Sequence, residues 1–250
     1  MNSYNYDKRL LFALMILLSW TVSRAQPLEV TNSAPFTPQN LITNVFLGEG
    51  VQVLSVTYEG ANRAVGFFKN GDPHIGIDRG LVMTTGSAVT QGGDVGVESN
   101  GGTQAQVENP DATTDPDLTA IAGGNSTNDM AKYTITFIPI SDTLRFRYAF
   151  GSEEYPEYAC SGFNDIFGFF ISGPGINGPY ENNGVNIALI PGTNLPVRIN
   201  NINSGEVGAA GTITNCTPPA GSLAFSQFYN DNLNSSVQPV YDGFTDVFTA

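Results

Sequence analysis

Four carboxylates and a cysteine crowd one short stretch between two apolar runs: Glu153, Glu154, Glu157 and Asp165 surround Cys160. Acids held this close repel one another unless a cation, an arginine, backbone N–H groups or water compensates them. Hard oxygens from Glu153 or Glu154 on one side and Asp165 on the other could surround Ca2+. These three are therefore the candidate metal ligands, and Ca2+ is the candidate cofactor. A second account gives Asp165 to backbone N–H groups of a turn and pairs a glutamate with Arg145 or Arg147 on the preceding strand. A third uses two of the acids for glycoside hydrolysis. Neighbours on an extended segment point to opposite sides, so Glu153 and Glu154 do not readily face one substrate together.

Other catalytic arrangements lack their parts. His74 is the sole histidine and lies in an Asn-Gly-Asp-Pro-His-Ile-Gly turn with no serine motif beside it. No Gly-x-Ser-x-Gly, His-Glu-x-x-His, phosphate loop or dinucleotide fingerprint occurs. No catalytic residue is assigned, and the chain reads as a non-enzyme. Tyr155, Tyr158, Tyr180, Tyr229 and Tyr241, with many asparagines nearby, suit stacking against sugars or filling the ends of a β-sandwich.

The N-terminus carries an export pattern. Lys8 and Arg9 precede the apolar Leu10–Val22, and Ser23-Arg24-Ala25 offers a small-residue cleavage site before Gln26. The stretch is too short for a membrane span and fits a signal peptide over residues 1–25, leaving 26–250 as one domain. Cleavage removes Lys8, Arg9, Arg24 and Asp7 from 10 basic and 23 acidic residues, so 7 and 22 remain, a net charge of −15. Such a field repels nucleic acid and anionic lipid. Export also places Cys160 and Cys216 in an oxidising compartment, where one disulfide is the economical reading and two buried thiols the alternative. Closing that loop would stabilise the fold by roughly 4 kcal/mol.

Short apolar runs broken by 28 glycines and 15 prolines, without long helical periodicity, point to an all-β fold. The expected form is a jelly-roll-like β-sandwich with long loops and one or two short helices. The clearest strands are 132–138 and 143–150, the latter with Leu144, Phe146, Tyr148 and Phe150 on one face. Ile166–Ser172 is apolar on both faces and reads as a central strand. Further strands are expected at 51–58, 63–68, 81–85, 185–190, 197–202, 223–228 and 244–249. Thr37-Pro38 and Asp115-Pro116 each start a helix, closed by Gly48 and Gly123. Asp111, Asp115 and Asp117 resemble calcium ligands by composition, yet capping and the helix dipole account for two of them. Residues 86–128 read as long loops. The chain stops in Phe244-Thr-Asp-Val-Phe-Thr-Ala250, within an expected strand, so a further C-terminal part carrying an anchor is expected.

Several segments together resemble the choice-of-anchor L domain of exported bacterial surface proteins. They are Val45-Phe-Leu-Gly-Glu-Gly-Val51, Gly76-Ile-Asp-Arg-Gly-Leu-Val-Met-Thr-Thr-Gly86, Tyr148-Ala-Phe-Gly-Ser-Glu-Glu-Tyr-Pro-Glu-Tyr158, Phe163-Asn-Asp-Ile-Phe-Gly-Phe-Phe-Ile-Ser-Gly173, Asn186-Ile-Ala-Leu-Ile-Pro-Gly-Thr193 and Tyr241-Asp-Gly-Phe-Thr245. The resemblance implies a β-rich extracellular module tethered or sorted by a variable C-terminal part, often of the type IX secretion or gliding-motility type. It supplies no catalytic residues. The expectation is a secreted or surface-displayed, adhesin-like module, with a glycan or protein on an extracellular surface as its partner and no insertion of the mature domain into a membrane.

Overall fold

Along Lys132–Pro139 the alternation seen in the sequence becomes geometry: Tyr133, Ile135 and Phe137 are half-buried while Thr134, Thr136 and Ile138 face solvent. The computed structural model describes residues 26–48, 50–99, 109, 114–234 and 237–250. The expected export signal at 1–25 and Asp111 lie outside the described residues.

The strands, in chain order, are β1 Glu29–Thr31, β2 Val51–Glu59, β3 Val65–Lys69, β4 Gly80–Met83, β5 Lys132–Pro139, β6 Arg147–Tyr148, β7 Gly151–Ser152, β8 Phe170–Ile171, β9 Val185–Asn186, β10 Tyr229–Asp231, β11 Gly243–Thr245 and β12 Phe248–Thr249. The short helices are α1 Pro38–Leu41, continued by a π-turn over Ile42–Phe46, α2 Asp72–Ile75 and α3 Pro116–Ile121. The fold is all-β and not a barrel. Its pairings are antiparallel and distributed over small sheets: β1-β3-β4, β10-β11-β7, β12-β6, β2-β5 and β8-β9. In the long β2–β5 ribbon the register slips between Val53 and Ser55. Leu54 is the extra residue and stands 57% exposed.

Both expected helix starts form. Asp115 Oδ1 accepts from the N–H groups of Asp117 at 2.8 Å and Leu118 at 3.0 Å, two donors that an uncapped helix would leave orphaned. Its Oδ2 takes the Lys132 ammonium at 2.6 Å, tying α3 to β5. Burial pushes the Asp115 carboxyl up, but the Lys132 bond and the two N–H groups outweigh it and hold the pKa below its ordinary value. Asp117 accepts from the Glu181 N–H. Asp115 thus caps the helix as expected, while Asp117 in its first turn reaches a segment 64 residues on.

Several expected strands shrink or dissolve. The 143–150 run keeps only β6, although Phe146, Tyr148 and Phe150 do turn to the interior and Arg145 and Arg147 outward. Ile166–Ser172 is no central strand: only Phe170 and Ile171 pair, in the two-stranded β8–β9, with one bridge from Ile166 to Arg198. A Cβ at Gly168 would meet the Phe170 ring at 2.6 Å, so that ring lies over the glycine. The run 197–202 forms turns, and 223–228 ends in a 3-10 turn before β10.

The reason lies with asparagine. Asn200, Asn203 and Asn232 are buried and serve the backbone the way a neighbouring strand would. Asn232 Nδ2 donates to the carbonyls of Val237, Pro239 and Tyr241. Asn203 Nδ2 donates to those of Ile199 and Ser222. These amides satisfy loop carbonyls that would otherwise be buried without partners.

The core sits under this region. Tyr148, Ala188, Ile190, Val197, Ile202 and Phe248 form its centre, with Phe146, Phe167, Phe169 and Phe228 packed around them. Each fully buried large apolar side chain contributes about 1.5–3 kcal/mol. Tyr155, Ala159 and Ile199 extend the core directly beneath the acid-rich loop.

Candidate functional site

The acid-rich loop leaves β7 and turns through Glu153–Ser161 over the buried Tyr155, whose hydroxyl donates to the Ile202 carbonyl. The Tyr155–Pro156 peptide is cis. Cys160, at φ 65°, bonds to Cys216 with Sγ atoms 2.03 Å apart and Cα atoms 5.1 Å apart. The single disulfide expected from export is present, and the free-thiol alternative is set aside.

Asn200 locks the same place. Its Oδ1 accepts the Cys160 N–H at 2.7 Å and its Nδ2 donates to the Ser161 carbonyl at 2.9 Å. Its own N–H goes to Asn164 Oδ1. From the other side, the N–H groups of Gly208, Ala210 and Thr212 donate to the carbonyls of Ala159, Glu157 and Cys160. Two loops distant in sequence are thereby clamped together. The sequence signal for this clamp was present in the asparagine-rich 200–203 run, which strand periodicity disguised.

Two of the acids meet at one serine. Asp165 accepts the Ser152 hydroxyl at 2.7 Å, and that hydroxyl oxygen takes the Glu154 N–H at 3.0 Å. Asp165 is partly accessible as a residue, yet its carboxyl is desolvated. Burial raises its pKa, and the Ser152 bond offsets this only in part. Glu154 is pushed up to about 7, first by burial and then by the negative charges of Asp165 and Glu157. Its surroundings are thus poorly solvated and anionic. Arg147 instead donates to the Gly76 carbonyl at 2.8 Å. The turn N–H groups proposed for Asp165 are replaced by the serine hydroxyl.

Glu154 and Asp165 therefore share one negative microenvironment. Among the described residues, no group of three or more His, Cys, Asp or Glu side chains is arranged to hold a metal ion. What the arrangement can do chemically is take up a proton near neutral pH, or accept a cation completed by backbone carbonyls and water.

The remaining candidates go to structural contacts. His74 Nδ1 accepts the Gln238 N–H at 3.4 Å while Nε2 faces the Gln26 carbonyl at 2.9 Å, so the ring bridges two segments. Tyr155 stacks obliquely on Tyr229, Tyr180 packs edge-on to Phe170, and Tyr241 donates to Thr84 Oγ1. Only Tyr158 of the five tyrosines adjoins a strongly exposed ring, that of Phe163. A hollow lined by Asn32, Thr37, Pro38, Gln39, Asn62, Arg63 and Gln91 lies elsewhere and includes no carboxylate. Among the described residues, no helix is long and apolar enough to cross a membrane.

Against known proteins, the family model for the choice-of-anchor L domain matches residues 29–250. No curated protein and no solved structure matches the chain.

Proposed function

The chain belongs to the choice-of-anchor L family, surface modules that are not a known enzyme family, and we propose that it is a non-catalytic, adhesin-like member attaching its bearer to an external ligand. The observation that carries this reading is the clamp at Cys160–Cys216. A disulfide, a buried asparagine and three backbone hydrogen bonds make a rigid loop cluster at the acid-rich end of the fold. Rigid loops on a stable scaffold bind without the ordering cost that mobile ones incur. The Glu154–Asp165 pair adds a second element to the proposal: a divalent cation seated there would relieve their repulsion and stiffen the cluster further.

Antibody labelling of intact cells, combined with incubation of the exported chain with extracellular polysaccharides, tests the reading. Labelling without lysis and no release of reducing sugar are expected. Reducing sugar that vanishes in a Glu153→Gln or Glu154→Gln variant would replace it with the hydrolase alternative.

A further inference from the structure

Phe163 is 65% exposed at the tip that follows the disulfide, and Tyr158 supports it edge-on with ring centroids 5.3 Å apart. The facing loop carries Val207, 38% exposed, and Ile213, 55% exposed. Thr212, next to Ile213, donates its N–H to the Cys160 carbonyl at 2.7 Å, and Gly208, next to Val207, donates to Ala159 at 3.0 Å. Because both loops are pinned, these apolar side chains cannot fold inward onto the core. Apolar groups held out together on one loop cluster mark an interaction surface more often than a lone exposed residue does.

The charged residues carried by these two loops are acidic. Glu157 lies in the acid-rich loop and Glu206 stands exposed beside Val207. From Tyr148 to Ala250 the sole basic residue is Arg198. That guanidinium is buried and donates to the carbonyls of Ile121 and Ala220, so it offers nothing at the surface. A ring face beside carboxylates attracts ammonium or guanidinium groups.

We infer that the Phe163–Ile213 loop cluster is a docking face for a polypeptide segment carrying basic and aliphatic side chains side by side. The inference rests on the attachment reading above and names the contact it uses. A lysine or arginine lies over the Phe163 ring toward Glu157 and Glu206, while aliphatic side chains cover Val207 and Ile213.

Fluorescence anisotropy with the oxidised exported chain tests this, using a labelled ten-residue peptide alternating Lys and Leu. Lys/Gly and Glu/Leu peptides serve as controls. The Lys/Leu peptide is expected to bind at least about tenfold more tightly than either control. A Phe163→Ser/Ile213→Ser double variant and a Glu157→Gln/Glu206→Gln double variant each lose about tenfold or more, with unchanged melting temperature. Phe163→Ser alone gives a smaller loss in the same direction. Equal binding by wild type and the Phe163→Ser/Ile213→Ser variant overturns the inference, as does equal affinity for the Lys/Gly peptide. A blank peptide titration with glycan-array binding also overturns it, while surface labelling of intact cells would leave the attachment reading standing.

Discussion

The Ser152 hydroxyl bridges the two raised acids, donating to Asp165 Oδ2 at 2.7 Å while its oxygen receives the Glu154 N–H at 3.0 Å. One small side chain thus ties the backbone of Glu154 to the carboxylate of Asp165, and both carboxyls are poorly solvated.

That arrangement makes stability depend on pH in a stated direction. Glu154 titrates near 7 in the folded chain against an ordinary value of 4.5. A carboxyl raised on folding contributes its full stability below the unfolded value and loses it as pH rises through the folded one. Wild type should therefore weaken between about pH 4.5 and 7.5 relative to Glu154→Gln. At pH 8.5 the variant is expected to be more stable by about 1–2 kcal/mol, after discounting for solvent at this half-exposed group. Urea denaturation at both pH values measures it. Parallel pH profiles for the two proteins would show that Glu154 does not carry the effect.

A divalent cation should act on the same repulsion. Millimolar Ca2+ is expected to raise the melting temperature by about 3 °C or more at pH 8.5. The increment should shrink at pH 5, where Glu154 is protonated, and vanish in Glu154→Gln or Asp165→Asn. Thermal scans with Ca2+ and with chelator decide this, and identical scans would remove the cation from the account.

The Asp115–Lys132 pair, 2.6 Å apart, predicts a mutational asymmetry. Asp115→Ala removes a helix cap and strands a half-buried ammonium, so it should cost about 2–4 kcal/mol. Lys132→Met keeps the cap but leaves the buried Asp115 carboxylate to two helix N–H groups alone, and should cost about 1–2 kcal/mol, less than Asp115→Ala. Equilibrium unfolding of the two variants checks the ordering.

The loop clamp has two parts of different kinds. Reducing Cys160–Cys216 should cost about 2–4 kcal/mol. Asn200→Ala leaves the Cys160 N–H and Ser161 carbonyl without their partner and should cost about 2–3 kcal/mol with the disulfide intact. Hydrogen exchange at Cys160 and Ser161 should quicken in both cases.

Local signals were the legible ones. The cap at Asp115, the ribbon strand at Lys132–Pro139 and the pairing of two exported cysteines each follow from residue chemistry over a short range. What strand periodicity concealed was Arg198-Ile-Asn-Asn-Ile-Asn203. Val197 and Ile199, two apart, imitate one buried face of a strand there, while Asn200 and Asn203 are buried and bond to loops more than ten residues away. Nothing local reveals whether an asparagine faces water or replaces a ladder of backbone bonds. The same holds for the tyrosines: their composition suits a sugar platform, and packing commits four of the five elsewhere.

Attachment is the account's central claim, and a deletion strain measures it most directly. Cells lacking the chain, complemented with wild type or left uncomplemented, are allowed to settle on a protein-coated surface and are counted after washing. Wild-type complementation is expected to restore attachment that the deletion loses. Equal counts with and without the chain would contradict the account.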